Sequence, residues 1–310
     1  MATTGARSPQ MSQQQAGGAF AYADIRRHPA DVWFVDSTNT TRGADTVGHG
    51  QNPDEPFLTL HYANTQATDS VGDVIYLMPG HVETVVNAAL LVLDCIGLTV
   101  RGLGEGALQP MIQVTTEVLA DIDINAASIT IEDVHFQAGV QDIVAMIDVN
   151  ATDFTLRRCL FDQGGVDENA LVTVLDAAAA GSDRITIEDC TAIMYDADNT
   201  HFVNFTGTGA EHMIRNNTLI GDWGTVVVGG AGVLVTWSVL DNYIHNVPAV
   251  ADSGIATAGT STGMIYNNRI GIGHAAGATT GVNADLCAMC QNFVTDWPEA
   301  TGLQGILDPA

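Results

Sequence analysis

Lysine is missing altogether from this 310-residue chain: its ten basic residues are all arginine, set against 36 acidic ones, for a formal net charge of −26. A surface of that sign repels phosphate backbones, which excludes nucleic acid as a partner. Five cysteines are an odd count with no even framework, which argues against a secreted disulfide scaffold. No apolar run approaches the length of a membrane span. The first residues lack the charged-then-apolar layout of a signal peptide, so the chain is expected either in the cytosol or outside by a route other than a cleaved leader. Aromatics amount to only 6%, too few to promise a groove on which sugars stack. The acidic balance keeps such a surface soluble and discourages edge-to-edge association; a high-salt habitat is the sharper reading.

What the sequence has in abundance is repetition. ITIEDVHF (Ile129 to Phe136) returns as FTLRRCLF from Phe154 and ITIEDCTA from Ile185. It comes back again as HMIRNNTL from His212, WSVLDNYI from Trp237, GMIYNNRI from Gly263 and CAMCQNFV from Cys287, with a degenerate first copy, LTVRGLGE, at Leu98. Apolar and polar residues alternate, as on a strand with one buried face, then break at a polar pair and resume. One column runs through all copies: Leu103, Val134, Cys159, Cys190, Asn217, Asn242, Asn268 and Asn292, at intervals of 31, 25, 31, 27, 25, 26 and 24 residues.

Each period holds further strand-like runs (IVAMIDV from Ile143, LVTVLD from Leu171, HFVNF from His201, TVVV from Thr225) and no room for an amphipathic helix. Short strands in a period of that size make one rung of a parallel β-helix, all-β, single-stranded and about eight rungs long. The crossover rule makes it right-handed. A stacked asparagine column suits an inward turn, where the side chain hydrogen-bonds its neighbours and tolerates a left-handed backbone. A β-sandwich gives no reason for one column to recur. The inward places are expected at Ile131, Leu156, Ile187, Ile214, Val239, Ile265 and Met289, with Phe136, Phe161, Ala192, Leu219, Ile244, Ile270 and Val294 beside them.

The chain divides accordingly. Residues 1–31 have no period and little apolar material, and read as a flexible arm. Residues 32–96 carry a strand, a loop, a short helix over 56–67 with Pro56 in its first turn, another strand and the first rungs. They cap the open lower end. Residues 97–296 are the body, and 297–310 a short tail whose Trp297, Leu303, Ile306 and Leu307 can cover the other end.

Chemistry is harder to find. Arg158 takes the turn place held by Asp133 and Asp189 in neighbouring copies, which reads as charge pairing down a stack rather than a base awaiting substrate. Glu132 and Glu188 fall at equivalent outward places, as do Asp162 and nearby Asp167, but carboxylates on any solenoid meet hydrolase spacing by accident. Cys287 and Cys290 lie three apart on a strand and so face opposite ways. His135, His201, His212 and His245 share no column. Asp121 and Asp123 have the oxygens for a surface Ca²⁺, but an exposed loop accounts for them. No catalytic residue, metal or cofactor is expected.

WFVDSTN from Trp33, the Gly/Asp/Pro loop, PFLTLHYA, GDVIYLMPGHVETV, LTVRGLG and the repeats together resemble a group of tailed-phage proteins with the pectin-lyase-like β-helix. The likeness covers about residues 32–296 and is most specific in the VD-S opening and the GDVIYLMPGH-ET segment. It implies a virion structural protein, a head decoration protein on the capsid exterior, bound to the major capsid protein and homotrimeric, with no nucleic acid or membrane partner. The same fold hosts tailspike-like glycan-binding or polysaccharide-degrading proteins, which is the alternative. Attachment is expected through the arm, where Phe20, Tyr22 and Ile25 give apolar anchors beside Arg26 and Arg27.

Overall fold

A computed structural model describes residues 31–88, 90–164, 170–247, 253–273, 280–284, 286–297 and 305–307. Each repeat of the sequence is one turn of a parallel β-helix, and each turn contributes one strand to each of three long sheets. The first sheet has ten strands, from Val32–Val35 through Thr130–Glu132 and Thr186–Glu188 to Ala288–Cys290. The second has nine parallel strands, from Val82–Val85 through Leu160–Asp162 to Asn292–Trp297, closed by an antiparallel one at Gly305–Leu307. The third has eight, from Leu91–Leu93 through Ile147–Val149 to Thr280–Asn283. Apart from that antiparallel closure, neighbouring strands in these sheets pair in parallel.

The break at the polar pair is the corner between the first two sheets. The residue at the corner is left-handed in the seven copies from Ile129 onward: Asp133, Arg158, Asp189, Asn216, Asp241, Asn267 and Gln291, with φ between 52° and 61°. The left-handed place therefore falls one residue before the asparagine column that was expected to hold it. A second left-handed column, Ser128, Asp153, Arg184, Glu211 and Thr236, marks the corner that leads into the first sheet.

The asparagine column is buried and bonds along the rod. Asn217, Asn242 and Asn268 each donate both the backbone N–H and the side-chain amide to Oδ1 of the next asparagine, at 2.9–3.0 Å. Each also donates to a carbonyl on the other side: Ile187, Ile214 and Val239 respectively. Lower in the column Cys159 and Cys190 aim weak thiol donors at the carbonyls of Ile131 and Leu156, and Val134 fills the place with bulk alone.

The inward residues stack in register, Ile131 on Leu156 on Ile187 on Ile214, all fully buried. Met289, at the top of that column, is only partly covered. In the second sheet Phe136 and Phe161 lie ring on ring at 4.9 Å. The column then drops to Ala192. Phe202 from the third sheet meets Phe161 edge-on at 5.8 Å, and Trp223 follows.

The lower end departs from expectation. The helix spans Leu60–Gln66, so Pro56 lies ahead of it and not in its first turn. Phe57 N–H and C=O are already committed to Phe34 and Asp36, so the helix starts only at Thr59, whose hydroxyl accepts from the Tyr62 N–H. Leu60, Ala63 and Asn64 form its buried face, and the Asn64 amide donates to the carbonyl of Val92, on the lowest strand of the third sheet. At the upper end Gly305–Leu307 covers the last strand of the second sheet, while Leu303 lies outside the described residues.

Ile187→Asp places an unpaired carboxylate between two stacked rungs and is expected to cost about 4 kcal/mol or more. Urea unfolding measures it; a midpoint equal to that of the parent would mean that this register is wrong.

Candidate functional site

The two most distinctive strings of the sequence meet at the base of the rod. His81, fully buried, accepts from the Ser37 N–H at Nδ1 (3.0 Å), and its Nε2 lies 3.2 Å from Glu83. Glu83 in turn accepts from the Leu60 N–H at the start of the helix, and the Ser37 hydroxyl accepts from the Val82 N–H. Asp45 binds the N–H groups of Leu58 and Thr59 and the Thr59 hydroxyl. Asp73 takes the N–H groups of Asp31 and Thr68. Ser37, His81 and Glu83, together with Asp45 and Asp73, thus satisfy backbone donors around the cap. Their chemistry is structural.

On the outer side of the first sheet the fourth residue of the repeat alternates in sign: Arg101, Glu132, Arg157, Glu188, Arg215. Glu132 faces outward yet is fully buried, because Arg101, Arg157 and Arg158 close over it. Burial pushes its carboxyl up, but hydrogen bonds and charge from Arg157 and Arg101 outweigh that and hold it below the usual carboxylate range. Arg158 also grips Asp133 with two bonds of 2.7 Å. It therefore leans on one neighbouring rung, and Asp189 instead receives the amide of Asn216. Arg184 pairs with Asp153 at 2.6 Å, and Arg215 pairs with Glu188.

The outer side of the third sheet carries the opposite arrangement. Asp123, Asp148 and Asp176 follow one another in a single column, with Asn204 next. Asp121 stands beside them, and one oxygen from each of Asp121, Asp123 and Asp148 falls within 4.8 Å of the others. These are half-buried groups in and beside strands, not the exposed loop expected for Asp121 and Asp123. Burial, then the charges of Asp123 and Asp148, push the Asp121 carboxyl up to about 6. Burial and Asp148 likewise raise Asp123 and Asp176. Oxygen ligands so disposed suit a hard cation such as Ca²⁺, and among themselves the stacked carboxylates repel.

The other sequence candidates are dispersed. His135 and Gln137 bind Asp162 at 2.9 and 3.0 Å, while Asp167 lies outside the described residues. Burial takes the imidazoles of His201 and His212 down to about 4. Cys287 is buried and Cys290 exposed, so the pair does not share a metal. The attachment residues Phe20, Tyr22, Ile25, Arg26 and Arg27 lie outside the described residues. The alternation at the fourth repeat position was legible in the strings LTVR, ITIE, FTLR, ITIE and HMIR. Asp148 and Asp176 were not, because nothing in the sequence aligns the third strand of one period with that of the next.

The molecule is a parallel β-helix. No family profile and no curated protein matches the chain. Among solved structures it is similar to a rhamnogalacturonan lyase at 11% identity, with a TM-score of 0.40 over 84% of this chain and 87% of that one. A likeness so distant says nothing about chemistry.

Glu132→Gln leaves three guanidiniums facing a neutral amide and is expected to lower stability by about 2–4 kcal/mol, read from urea unfolding; no loss would mean that the arginines are held by solvent instead. The aspartate column supplies a pH test. A carboxyl raised in the folded state contributes stability below about pH 4 that is lost as pH rises through about 6. His201 and His212, lowered in the folded state, run the other way in the same window. The measurement is therefore the difference between variant and parent. Asp148→Asn should raise the melting temperature at pH 7 and low salt, by the equivalent of at most about 1 kcal/mol after solvent screening, with the gain vanishing near pH 4. A pH-independent gain would assign the effect to something other than charge.

Proposed function

We propose that the chain is a non-enzymatic virion component, a head decoration protein whose β-helical rod is held on the major capsid protein at the capsid exterior by residues 1–31. The observation that carries this reading is the employment of the arginines. Five of the seven among the described residues (Arg101, Arg157, Arg158, Arg184 and Arg215) hold carboxylates of a neighbouring rung. With no lysine in the chain, those guanidiniums act as staples between rungs, not as a base turned toward a groove. The resemblance of the cap segments to tailed-phage proteins supports the same reading, since the cap is where this chain departs most from a generic solenoid.

The arm is locally basic on an acidic protein, with Arg7, Arg26 and Arg27 against Asp24 and Asp31. A segment of this kind gives up ordering entropy on binding but can lie across several subunits. Deleting residues 1–28 is expected to leave a folded rod, judged by circular dichroism, that no longer co-sediments with capsids under conditions where the full chain does. Full occupancy by the truncated rod would move the docking site to the capped end. Failure of the full chain to bind capsids would remove the reading itself. The polysaccharide-cleaving alternative is tested by release of reducing ends or unsaturated sugars above a heat-inactivated control; none is expected.

A further inference from the structure

Near the upper end of the second sheet, one strand leaves its outer face almost bare. Arg269–Gly273 reads RIGIG, so its three outward places hold an arginine and then two glycines. Around the glycines lies a hollow of about 270 Å³, lined by His245, Val247, Gly271, Ile272, Gly273 and Thr295. The fold does not ask for the first glycine. Gly271 is not in the left-handed region, and a Cβ there would stand 3.2 Å from His245 Nδ1 and 3.5 Å from Thr295 Oγ1. Both are side-chain atoms, so a shift of a few tenths of an ångström admits alanine. At Gly221, by contrast, a Cβ would lie 1.7 Å from the Met194 carbonyl oxygen. Glycine inside a strand costs conformational entropy and packs nothing; where neither backbone angle nor close backbone contact requires it, it marks a place kept open for a ligand.

Beside the hollow stands a guanidinium with nothing to hold. Arg269 is exposed and lies two residues from Gly271 on the same face, roughly 7 Å away by strand rise and within reach of its own side chain. Five of the seven arginines among the described residues grip a carboxylate of a neighbouring rung, whereas Arg269 makes no ion pair among the described residues. The other formal charge at the outward places of its sheet is Asp162, four rungs below and already bonded by His135 and Gln137. Tyr243 and Phe293, 45% and 46% exposed, flank Arg269 on the rungs below and above. His245 and Thr295 flank Gly271 in the same way.

We propose that this hollow binds a small aromatic carboxylate, with its acid group on Arg269 and its ring in the space left by Gly271 and Gly273. A guanidinium takes a carboxylate through two parallel N–H···O bonds. A singly charged anion is also the kind that a protein of net charge −26 opposes least. Tyr243 and Phe293 favour an aromatic body, which gains from offset or edge-on ring contacts. His245 and Thr295 offer hydrogen bonds at the sides. Size sets the rest: the hollow falls just below the ~300–1,000 Å³ of pockets that enclose drug-sized ligands, so its occupant is one ring-sized group and not a polymer. A free acid and the C-terminal aromatic residue of a peptide present the same chemistry. The site stands whether or not the rod belongs to a virion.

Isothermal titration calorimetry on the full chain tests it, with 3-phenylpropionate, N-acetylphenylalanine and N-acetylphenylalanine amide taken to about 10 mM at low salt. Both acids should bind, and the amide should bind at least tenfold more weakly. Whichever acid binds the tighter identifies the source, a free acid or a chain terminus, and either result supports the site. Arg269→Gln should bring the acids down to the level of the amide, while Arg42→Gln, which removes an exposed guanidinium elsewhere, should change nothing. Gly271→Ala should weaken both acids at least fivefold and melt no lower than the parent. Acids that bind no better than the amide overturn the proposal, as does an Arg269→Gln or Gly271→Ala variant that binds as tightly as the parent. A Gly271→Ala variant that melts well below the parent also counts against it, because the glycine would then belong to the fold.

Discussion

Parallel stacking at one strand spacing, ~4.8 Å, places every side chain directly over its counterpart in the rung below. Each position along the repeat is therefore subject to a rule of self-compatibility. Aliphatic residues satisfy it by dispersion, as Ile131, Leu156, Ile187 and Ile214 do. Asparagine satisfies it because its amide both donates and accepts, so Asn217, Asn242, Asn268 and Asn292 form an unbroken chain of bonds through a dry interior. A buried polar ladder of this kind is worth having only when every member is satisfied, and here the donors find partners above and below.

Charge obeys the same rule and has two solutions on this molecule. Alternation, as in Arg101, Glu132, Arg157, Glu188 and Arg215, turns stacking into mutual neutralisation, to the point that Glu132 is buried without being protonated. Repetition, as in Asp123, Asp148 and Asp176, turns it into repulsion that the fold must carry. The rod thus has one face that is internally compensated, one that is electrically loaded, and one that is close to neutral.

The body of the fold was legible because its main signal is periodic and local. The recurring polar pair marked a corner, and the alternation on either side gave the inward columns. What escaped was information lying between periods or in tertiary bonds. Helix onset depends on Phe57 bridging to Phe34 and Asp36, contacts that no pattern around Pro56 announces. The left-handed corner was placed one residue late because asparagine was credited with the backbone strain, whereas Asp133, Arg158 and Gln291 bear it and asparagine supplies bonds. The aspartate column required aligning strands such as Ile122–Ile124 and Ile147–Val149, whose flanking turns differ in length and sequence.

The treatment of the rod's ends bears on how such molecules behave when crowded. An uncovered terminal rung is a template on which another rung, from any chain, can continue, and a repeat with this much self-similarity would then act as a nucleus for filaments. Here Phe57 bridges to Val35 and Gly50 accepts from Phe34 at the first sheet, Asn64 occupies the carbonyl of Val92 at the third, and Gly305–Leu307 runs backward along the last strand of the second. A reversed strand offers the wrong polarity for parallel growth. These contacts oppose continuation of the first and third sheets at the lower end and of the second sheet at the upper one, as a ruler's ends limit its length.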